Sequence, residues 1–165
     1  MVGFSAAILI VVIGAFLFID LGGVSMATKS PPLPLEASVA KLALHASFAG
    51  SEKQRNPLPL TEANMVAGAK LYSQLCAGCH GAPGYPPTDV AEGEFPPPPQ
   101  LLEKGQMVTD DPEGITYWKI TNGIRLSGMP EFGSALQDTE RWQLAMLLAH
   151  ADKLPPAAIS VLESK

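Results

Sequence analysis

The segment "LCAGCHGAPG", residues 75–84, contains the only two cysteines of the chain, Cys76 and Cys79, with His80 directly after the second. A C-x-x-C pair can serve dithiol redox exchange, structural zinc or covalent haem attachment. In C-x-x-C-H the two thiols bond to the haem vinyl groups, and the tethered histidine ligates the iron. The full motif therefore predicts one covalently bound haem c per chain, with His80 as an iron ligand.

Other uses of the cysteine pair are open as alternatives. A thioredoxin-like site needs strands around the motif, and no segment of this sequence alternates convincingly as a strand. Structural zinc needs a fourth ligand, for which His45 and His150 are the candidates, but the adjacent Cys79 and His80 would crowd one metal ion. A structural disulfide is also compatible with an exported protein.

The chemistry of such a haem depends on its second axial ligand. An open iron binds gases or peroxide, whereas methionine closes the site and raises its potential. Met107 and Met129 are the candidates, and Met129 lies in the loop "GIRLSGMPEFG" between Gly128 and Pro130. Glycine permits a close backbone approach and proline stiffens the turn, which favours Met129. The remaining methionines are Met1, Met26, Met65 and Met146. They precede the motif or lie on a helix face, where core packing is the default.

Three segments have the patterns of helices. The first, residues 61–76, begins at a threonine cap and ends at the cysteine pair. The second, residues 111–123, has Asp111 as its cap and Asn-Gly as its stop. The third spans residues 138–153 and ends before two prolines. Residues 81–100 are rich in glycine and proline, which is typical of irregular chain, so the sequence predicts an all-α domain with long loops.

The N-terminal segment has the length and composition of a membrane span. Residues 2–19 are mostly apolar and carry no charge, and as a helix they would be about 27 Å long, close to the thickness of the bilayer core. Ser25-Met26-Ala27 is a candidate signal-cleavage site, but the apolar run exceeds a usual signal core and no basic residue precedes it. We therefore expect an uncleaved anchor.

The side of the membrane on which the domain lies is predicted from weaker features of the sequence. The lysines and arginines nearest to the anchor all follow it: Lys29, Lys41, Lys53 and Arg55. The positive-inside rule would keep such charges in the cytoplasm, but these are few and spread out, and large domains translocate largely regardless of charge. We expect the domain on the periplasmic side of a bacterial inner membrane.

Composition divides the chain into a transmembrane anchor (1–24), a proline-rich tether (25–60), a packed domain (61–154) and a C-terminal tail (155–165). In the tether, the stretch with Val39, Leu42 and Phe48 is compatible with a short amphipathic helix, on the membrane or on a partner, or with a plain linker. The formal net charge is −5 and the basic residues form no stripe, so the sequence predicts no nucleic-acid partner.

The packed domain resembles the class I c-type cytochromes over about residues 61–154. The resemblance rests on the C-x-x-C-H motif, on Gly-Met-Pro at residues 128–130 and on the closing segment "DTERWQLAMLLAHADKL". It implies the class I cytochrome c fold, in which the first and last helices cross closely. Gly68 and Tyr72 look like the small and aromatic residues of that crossing.

The resemblance also implies how the haem is held. In the family a backbone carbonyl orients the proximal histidine, commonly from a proline after the motif, and residues 96–99 supply four candidates. Trp118 and Arg125 flank the methionine segment, and either could bond a haem propionate, although plain core packing is an alternative for Trp118. The implied cofactor-binding residues are Cys76, Cys79, His80, Met129, Trp118 and Arg125, with His80 and Met129 on the iron.

The function implied is one-electron transfer with no bond made to a substrate, which indicates an electron-transfer protein rather than an enzyme. An anchor raises the local concentration near a membrane partner, so we expect redox protein partners or the subunits of a respiratory or photosynthetic complex. The alternative is a haem-based ligand sensor or a peroxidase-like enzyme in which Met129 dissociates. No distal histidine or arginine is placed by sequence to support peroxide chemistry.

Overall fold

The computed structural model describes residues 2–164, which form helices and loops with no strand among them. The helices are α1 (Val2–Asp20), α2 (Glu36–Ser47), α3 (Glu62–Leu75), α4 (Ala77–His80), α5 (Asp89–Glu92), α6 (Glu113–Asn122), α7 (Asp138–Ala149) and α8 (Pro156–Glu163). Two short 3₁₀ turns lie at Ser51–Lys53 and Ala151–Lys153. The predicted all-α fold with one N-terminal apolar helix is confirmed.

Helix α3 forms where the sequence predicts it, because Thr61 caps its first turn. The Thr61 hydroxyl oxygen accepts a hydrogen bond from the Asn64 backbone N–H at 3.3 Å, which satisfies one of the free donors at the helix start. The buried face of the helix consists of Met65, Gly68, Ala69 and Tyr72. This face packs against α7 and α8, so α3 is the centre of the core.

The crossing of α3 and α7 depends on Gly68. A Cβ atom on this residue would overlap the backbone carbonyl oxygen of Gln143 and come within 3.2 Å of the Leu147 side chain. At the same crossing the Gln143 side chain donates to Asn64 Oδ1 at 3.0 Å. Glycine costs a helix interior about 1 kcal/mol relative to alanine, and the close approach explains its presence. The predicted role of Gly68 at this crossing is confirmed, and Tyr72 is buried on the same side of α3.

Helix α6 begins one residue later than its sequence predicts. Pro112, not Asp111, holds the N-cap position. The Asp111 carboxylate instead forms an ion pair with Lys119 at 2.9 Å, so its side chain is engaged farther along the same helix. The predicted stop is correct: the helix ends at Asn122, and Gly123 follows with φ of 65°.

Helix α7 supplies much of the apolar core and is shorter than predicted. It buries Trp142 and the run from Leu144 to Leu148, and the Trp142 ring stacks on Tyr117 of α6 with 4.0 Å between centroids. The helix ends at Ala149, and the residues up to Lys153 form a separate 3₁₀ turn.

The segment after residue 154 is more than a tail. Pro155-Pro156 stops the preceding turn, but Pro156 also begins α8, because proline suits the first helical position. Ala158 and Leu162 of this helix are fully buried, and α8 packs on α3. The prediction of a tail at residues 155–165 missed this helix, since two prolines were interpreted only as a stop.

Packing against the domain also begins before Thr61. Phe48 is buried and meets the Trp118 ring edge-on at 6.1 Å. Gly114 of α6 has no room for a Cβ because the Ser51 carbonyl oxygen occupies that space. The Asn56 side chain donates to the Trp142 carbonyl oxygen at 3.2 Å. The last part of the tether is therefore bound to the domain.

Helix α1 is exposed along its described length. Its residues Gly3–Asp20 are long and apolar enough to cross a membrane, and none of them is buried. An isolated apolar helix of this length is consistent with membrane anchoring.

Candidate functional site

The haem-binding motif forms a turn at the end of α3. We call residues 76–81 the motif turn. The Cys76 N–H closes the last turn of α3 on the Tyr72 carbonyl oxygen at 2.9 Å, and the His80 N–H bonds to the Cys76 carbonyl oxygen at 2.9 Å. Cys76, Cys79 and His80 all line one cavity, so the structure brings the three predicted motif residues together.

Tyr72 ties the motif turn to the core. Its hydroxyl donates to the backbone carbonyl oxygens of Gly81 at 2.8 Å and of His80 at 3.2 Å. Burial, with a smaller contribution from Cys76, raises the pKa of Tyr72 above its ordinary value. The hydroxyl therefore stays protonated and keeps both carbonyls as partners. Sequence reasoning assigned Tyr72 to the helix crossing and missed this second contact.

His80 is oriented by Pro99. Its Nδ1 lies 2.7 Å from the Pro99 carbonyl oxygen. A carbonyl oxygen can only accept, so Nδ1 carries the proton and Nε2 keeps its lone pair for a metal ion. The Gln100 side chain also donates to the Cys79 carbonyl oxygen at 3.4 Å, which holds the proline segment against the motif turn. Sequence alone left four prolines as candidates, and the structure selects one.

Both cysteines are free thiols with raised pKa values. Burial raises the pKa of Cys76 to about 12, and the neighbouring Cys79 adds to the shift. Burial also raises the pKa of Cys79, with contributions from the charge of Glu94 and from its hydrogen bond. Dithiol redox sites lower the pKa of their attacking cysteine. This environment therefore does not support the redox-exchange alternative, and the free thiols do not support the disulfide.

The zinc alternative finds no support among the described residues. His150 Nδ1 lies 2.9 Å from the Met146 carbonyl oxygen, and the His45 ring lies against Phe48 with centroids 5.1 Å apart. Within residues 2–164, no cluster of three or more histidine, cysteine or acidic side chains is arranged to hold a metal ion.

The cavity beside the motif turn has a volume of about 280 Å³. Its wall is mostly apolar, with aliphatic side chains from several helices and loops and the proline run at residues 96–99. An apolar wall excludes water and suits a macrocycle whose faces are hydrophobic. The two free thiols and the oriented histidine lie in this wall, so the residues present fit a covalently attached haem.

Met129 also lines the cavity, whereas Met107 does not. We call residues 123–133 the methionine loop. The Met129 N–H donates to the Ser127 hydroxyl at 3.2 Å, and its carbonyl oxygen accepts from the Ile124 N–H at 3.2 Å. Glycine is required at position 123 for two reasons. Its φ is 65°, and a Cβ atom there would lie only 2.9 Å from the Met129 carbonyl oxygen.

Trp118 and Arg125 do not line the cavity. Trp118 packs against Phe48, and Arg125 is exposed. From α6 the polar residues Thr116 and Lys119 reach the wall, together with Ile120. The Thr116 hydroxyl is buried and has no hydrogen-bond partner. Spacing could have found these two residues, since positions three apart share a helix face. The propionate contacts of Trp118 and Arg125 stay predictions.

Glu94 places a carboxylate in the otherwise apolar wall. Cys79 Sγ donates to Glu94 Oε1 at 3.7 Å. The same carboxylate occupies the space where a Cβ of Gly128 would lie, so it contacts both the motif turn and the methionine loop. It follows a short helix in the proline-rich segment, and no motif in the sequence pointed to it.

A family model matches the part of the chain that holds this site. Residues 63–148 match the family model described as cytochrome c oxidase, cbb3-type, subunit III. No curated protein matches the chain. A solved chain of the reducing HAO-like protein complex of Kuenenia stuttgartiensis is 29% identical and has a TM-score of 0.49. That match covers 58% of this chain and 46% of the solved one, so this chain spans less than half of that protein's length.

Proposed function

Because the chain belongs to the cytochrome c family described as cytochrome c oxidase, cbb3-type, subunit III, we propose that it is a membrane-anchored electron carrier with histidine and methionine on its iron. Family membership implies one haem c per chain, bound covalently, and electron transfer as its general role. The haem, when bound, supplies an iron that cycles between the ferric and ferrous states.

One observation carries the proposal: the hydrogen bond from His80 Nδ1–H to the Pro99 carbonyl oxygen at 2.7 Å. It fixes the tautomer with Nε2 free, and a ligand histidine usually has such a partner on its other nitrogen. Cys76 and Cys79 line the same cavity as His80. The imidazole and the two tethering thiols therefore belong to one site.

The protein's residues act by holding positions and excluding water. Cys76 and Cys79 would supply the thioether bonds to the haem, and His80 Nε2 would ligate its iron. Met129, the methionine of the cavity wall, supplies the second ligand. Ser127 and Ile124 hold its backbone. A thioether ligand favours the reduced iron and closes the site to small ligands, which suits transfer of an electron rather than chemistry on a substrate.

The anchored arrangement suits a membrane partner. We assign the anchor to residues 1–24, the tether to residues 25–60 and the haem domain to residues 61–154, with the domain on the periplasmic side. The end of the tether and α8 both pack on this domain. An anchor of this kind replaces free diffusion by a high local concentration. The high local concentration suits two arrangements: a fixed subunit of a respiratory or photosynthetic complex, and a tethered shuttle between complexes.

Ligand binding to the ferrous holoprotein tests the proposal. A carrier with a closed sixth position should bind carbon monoxide slowly or not at all before any treatment. It should also show the methionine-to-iron charge-transfer band in the ferric state. Rapid binding by the untreated protein would contradict the carrier and favour a ligand sensor or a peroxidase-like enzyme.

A further inference from the structure

Helix α2 has apolar residues on two opposite sides, and only one side is covered. Phe48, at its C-terminal end, is buried against Trp118, and Leu44 lines the haem cavity. Val39 is 62% exposed and Leu42 is 73% exposed. Leu44 lies two residues after Leu42, about 200° farther around the helix, so the exposed pair is on the side away from the domain.

The exposed side forms a continuous apolar face. Val39, Leu42 and Ala46 lie at positions i, i+3 and i+7, which share one side of a helix, and Leu35 is the N-cap residue directly before this helix. Leu35 is 74% exposed. None of these four side chains is charged, and no other part of the described chain covers them. We call them the α2 face.

The position of α2 in the chain indicates what covers this face. Residues 21–35 connect it to α1, the apolar helix that is suited to span a membrane. Fully extended, these residues reach about 50 Å, and several turns shorten this reach: the N–H groups of Gly22, Gly23 and Ser30 all bond back to nearby carbonyl oxygens. The α2 face therefore stays within about 50 Å of the end of α1, so the bilayer surface is within its reach whenever α1 is inserted.

We propose that the α2 face lies in the lipid–water interface of the membrane that α1 spans. Helices that lie in this plane bury their apolar side at the boundary between headgroups and acyl chains. The exposed Lys29, in the segment between α1 and α2, is available to the headgroups of anionic lipids. This proposal rests on the anchoring of α1 that is part of the proposed function.

The arrangement would fix the haem domain to the membrane surface instead of leaving it on a free tether. The face of α2 opposite the lipid carries Leu44 into the cavity wall and Phe48 onto α6. Lys119, another residue of the cavity wall, lies over the Phe48 ring at 5.6 Å from its centroid. The side of the domain that holds the cavity would therefore face the region where membrane partners lie.

The test uses single-cysteine variants of the full-length holoprotein, in which Cys76 and Cys79 are consumed by the haem. Val39→Cys and Leu42→Cys, labelled with a small thiol-reactive fluorophore, are reconstituted into vesicles of phosphatidylcholine and phosphatidylglycerol. Val90→Cys is the matched control, because Val90 is an apolar residue of α5 with 75% exposure. Val11→Cys, in α1, is the reference for insertion. Fluorescence is compared between vesicles with and without a nitroxide-labelled lipid, so that constant quenching by the haem cancels.

We expect the nitroxide lipid to lower the fluorescence of the Val39 and Leu42 labels by about twofold or more, and to leave the Val90 label unchanged. Quenching at Val11 but not at Val39 or Leu42 would overturn the interfacial helix and leave the anchor intact. The same result together with disulfide cross-linking between two copies of the unlabelled Val39→Cys or Leu42→Cys variant would show that a second copy covers the face, which also overturns it. Absence of quenching at Val11 would overturn the anchor and this inference together. An unchanged haem spectrum confirms that each variant is folded.

Discussion

The motif turn and the methionine loop both contribute to the wall of one cavity, but they are held in different ways. The motif turn is bonded from the core by Tyr72 and from the proline segment by Pro99. The methionine loop is held by its own short contacts and by backbone bonds to the end of α6, such as the 3.0 Å bond from the Phe132 N–H to the Ile120 carbonyl oxygen. His80 is therefore held by the core and the proline segment, whereas Met129 is held by contacts within its own loop and with the end of α6.

The largest effect should come from removing the covalent attachment. Replacement of Cys76 and Cys79 together by alanine should abolish covalently retained haem, because both thioether bonds are lost. Acid-acetone extraction of protein expressed with the haem-attachment machinery measures this. Met129→Ala is the matched control because it changes the methionine loop instead of the motif turn, and this variant should keep the haem. Retention of haem by the double variant would refute the assignment of the motif.

Met129→Ala should open the sixth position without loss of the haem. We expect a lower reduction potential, rapid carbon monoxide binding and loss of the methionine-to-iron charge-transfer band. Met107→Ala is the control, since Met107 lies outside the cavity wall. If Met107→Ala removes the band and Met129→Ala preserves it, the ligand has been assigned to the wrong methionine.

Gly123→Ala should loosen the methionine loop by about 3 kcal/mol, because a left-handed conformation strains a non-glycine residue and the added Cβ meets the backbone of Met129 and Pro130. The charge-transfer band should then be lost at a lower urea concentration than the helical circular dichroism signal. Gly128→Ala is the control: its Cβ would meet only the end of the Glu94 side chain, which can rotate away. Equal effects of the two variants would contradict this account of the loop.

Tyr72→Phe should have the smallest effect, a loss of about 1–2 kcal/mol in the free energy of unfolding, because two buried carbonyl oxygens lose their donor. Since the motif turn is part of the core, the band and the helical signal should be lost together in urea. Separate transitions in this variant would show that the motif turn, too, moves independently.

The features that the sequence predicted correctly are mostly those that depend on residues close together along the chain. The Thr61 cap, the stop at Gly123 and the motif itself could be predicted from the sequence because each depends on neighbours along the chain. Gly68 was predicted correctly because the class I resemblance supplies the crossing. Met129 was selected by its loop, and it does line the cavity, although its bond to iron stays a prediction.

The contacts that could not be predicted depend on distance in space. The choice of Pro99 among four prolines depends on how the loop folds back over His80. Thr116 and Lys119 reach the cavity instead of Trp118 because of how α6 is rotated about its axis. A helical sequence pattern predicts this rotation only to within one or two residues. Glu94 lies in a loop, where no helical or strand periodicity predicts which side chains face the cavity. Helix α8 was missed because a proline can end one helix and also begin the next.

The packing of α7 on α3 at Gly68 bears on whether haem attachment precedes or follows the folding of the domain. Its partner α7 begins at Asp138, so during synthesis the motif emerges well before the helix that closes the core. In the folded domain, burial raises the pKa of Cys76 to about 12, so the thiol is protonated there. Domains generally form as the chain emerges from its N-terminal end. We therefore expect haem attachment to precede docking, so that chains released before residue 138 should accept haem at least as readily as the complete chain.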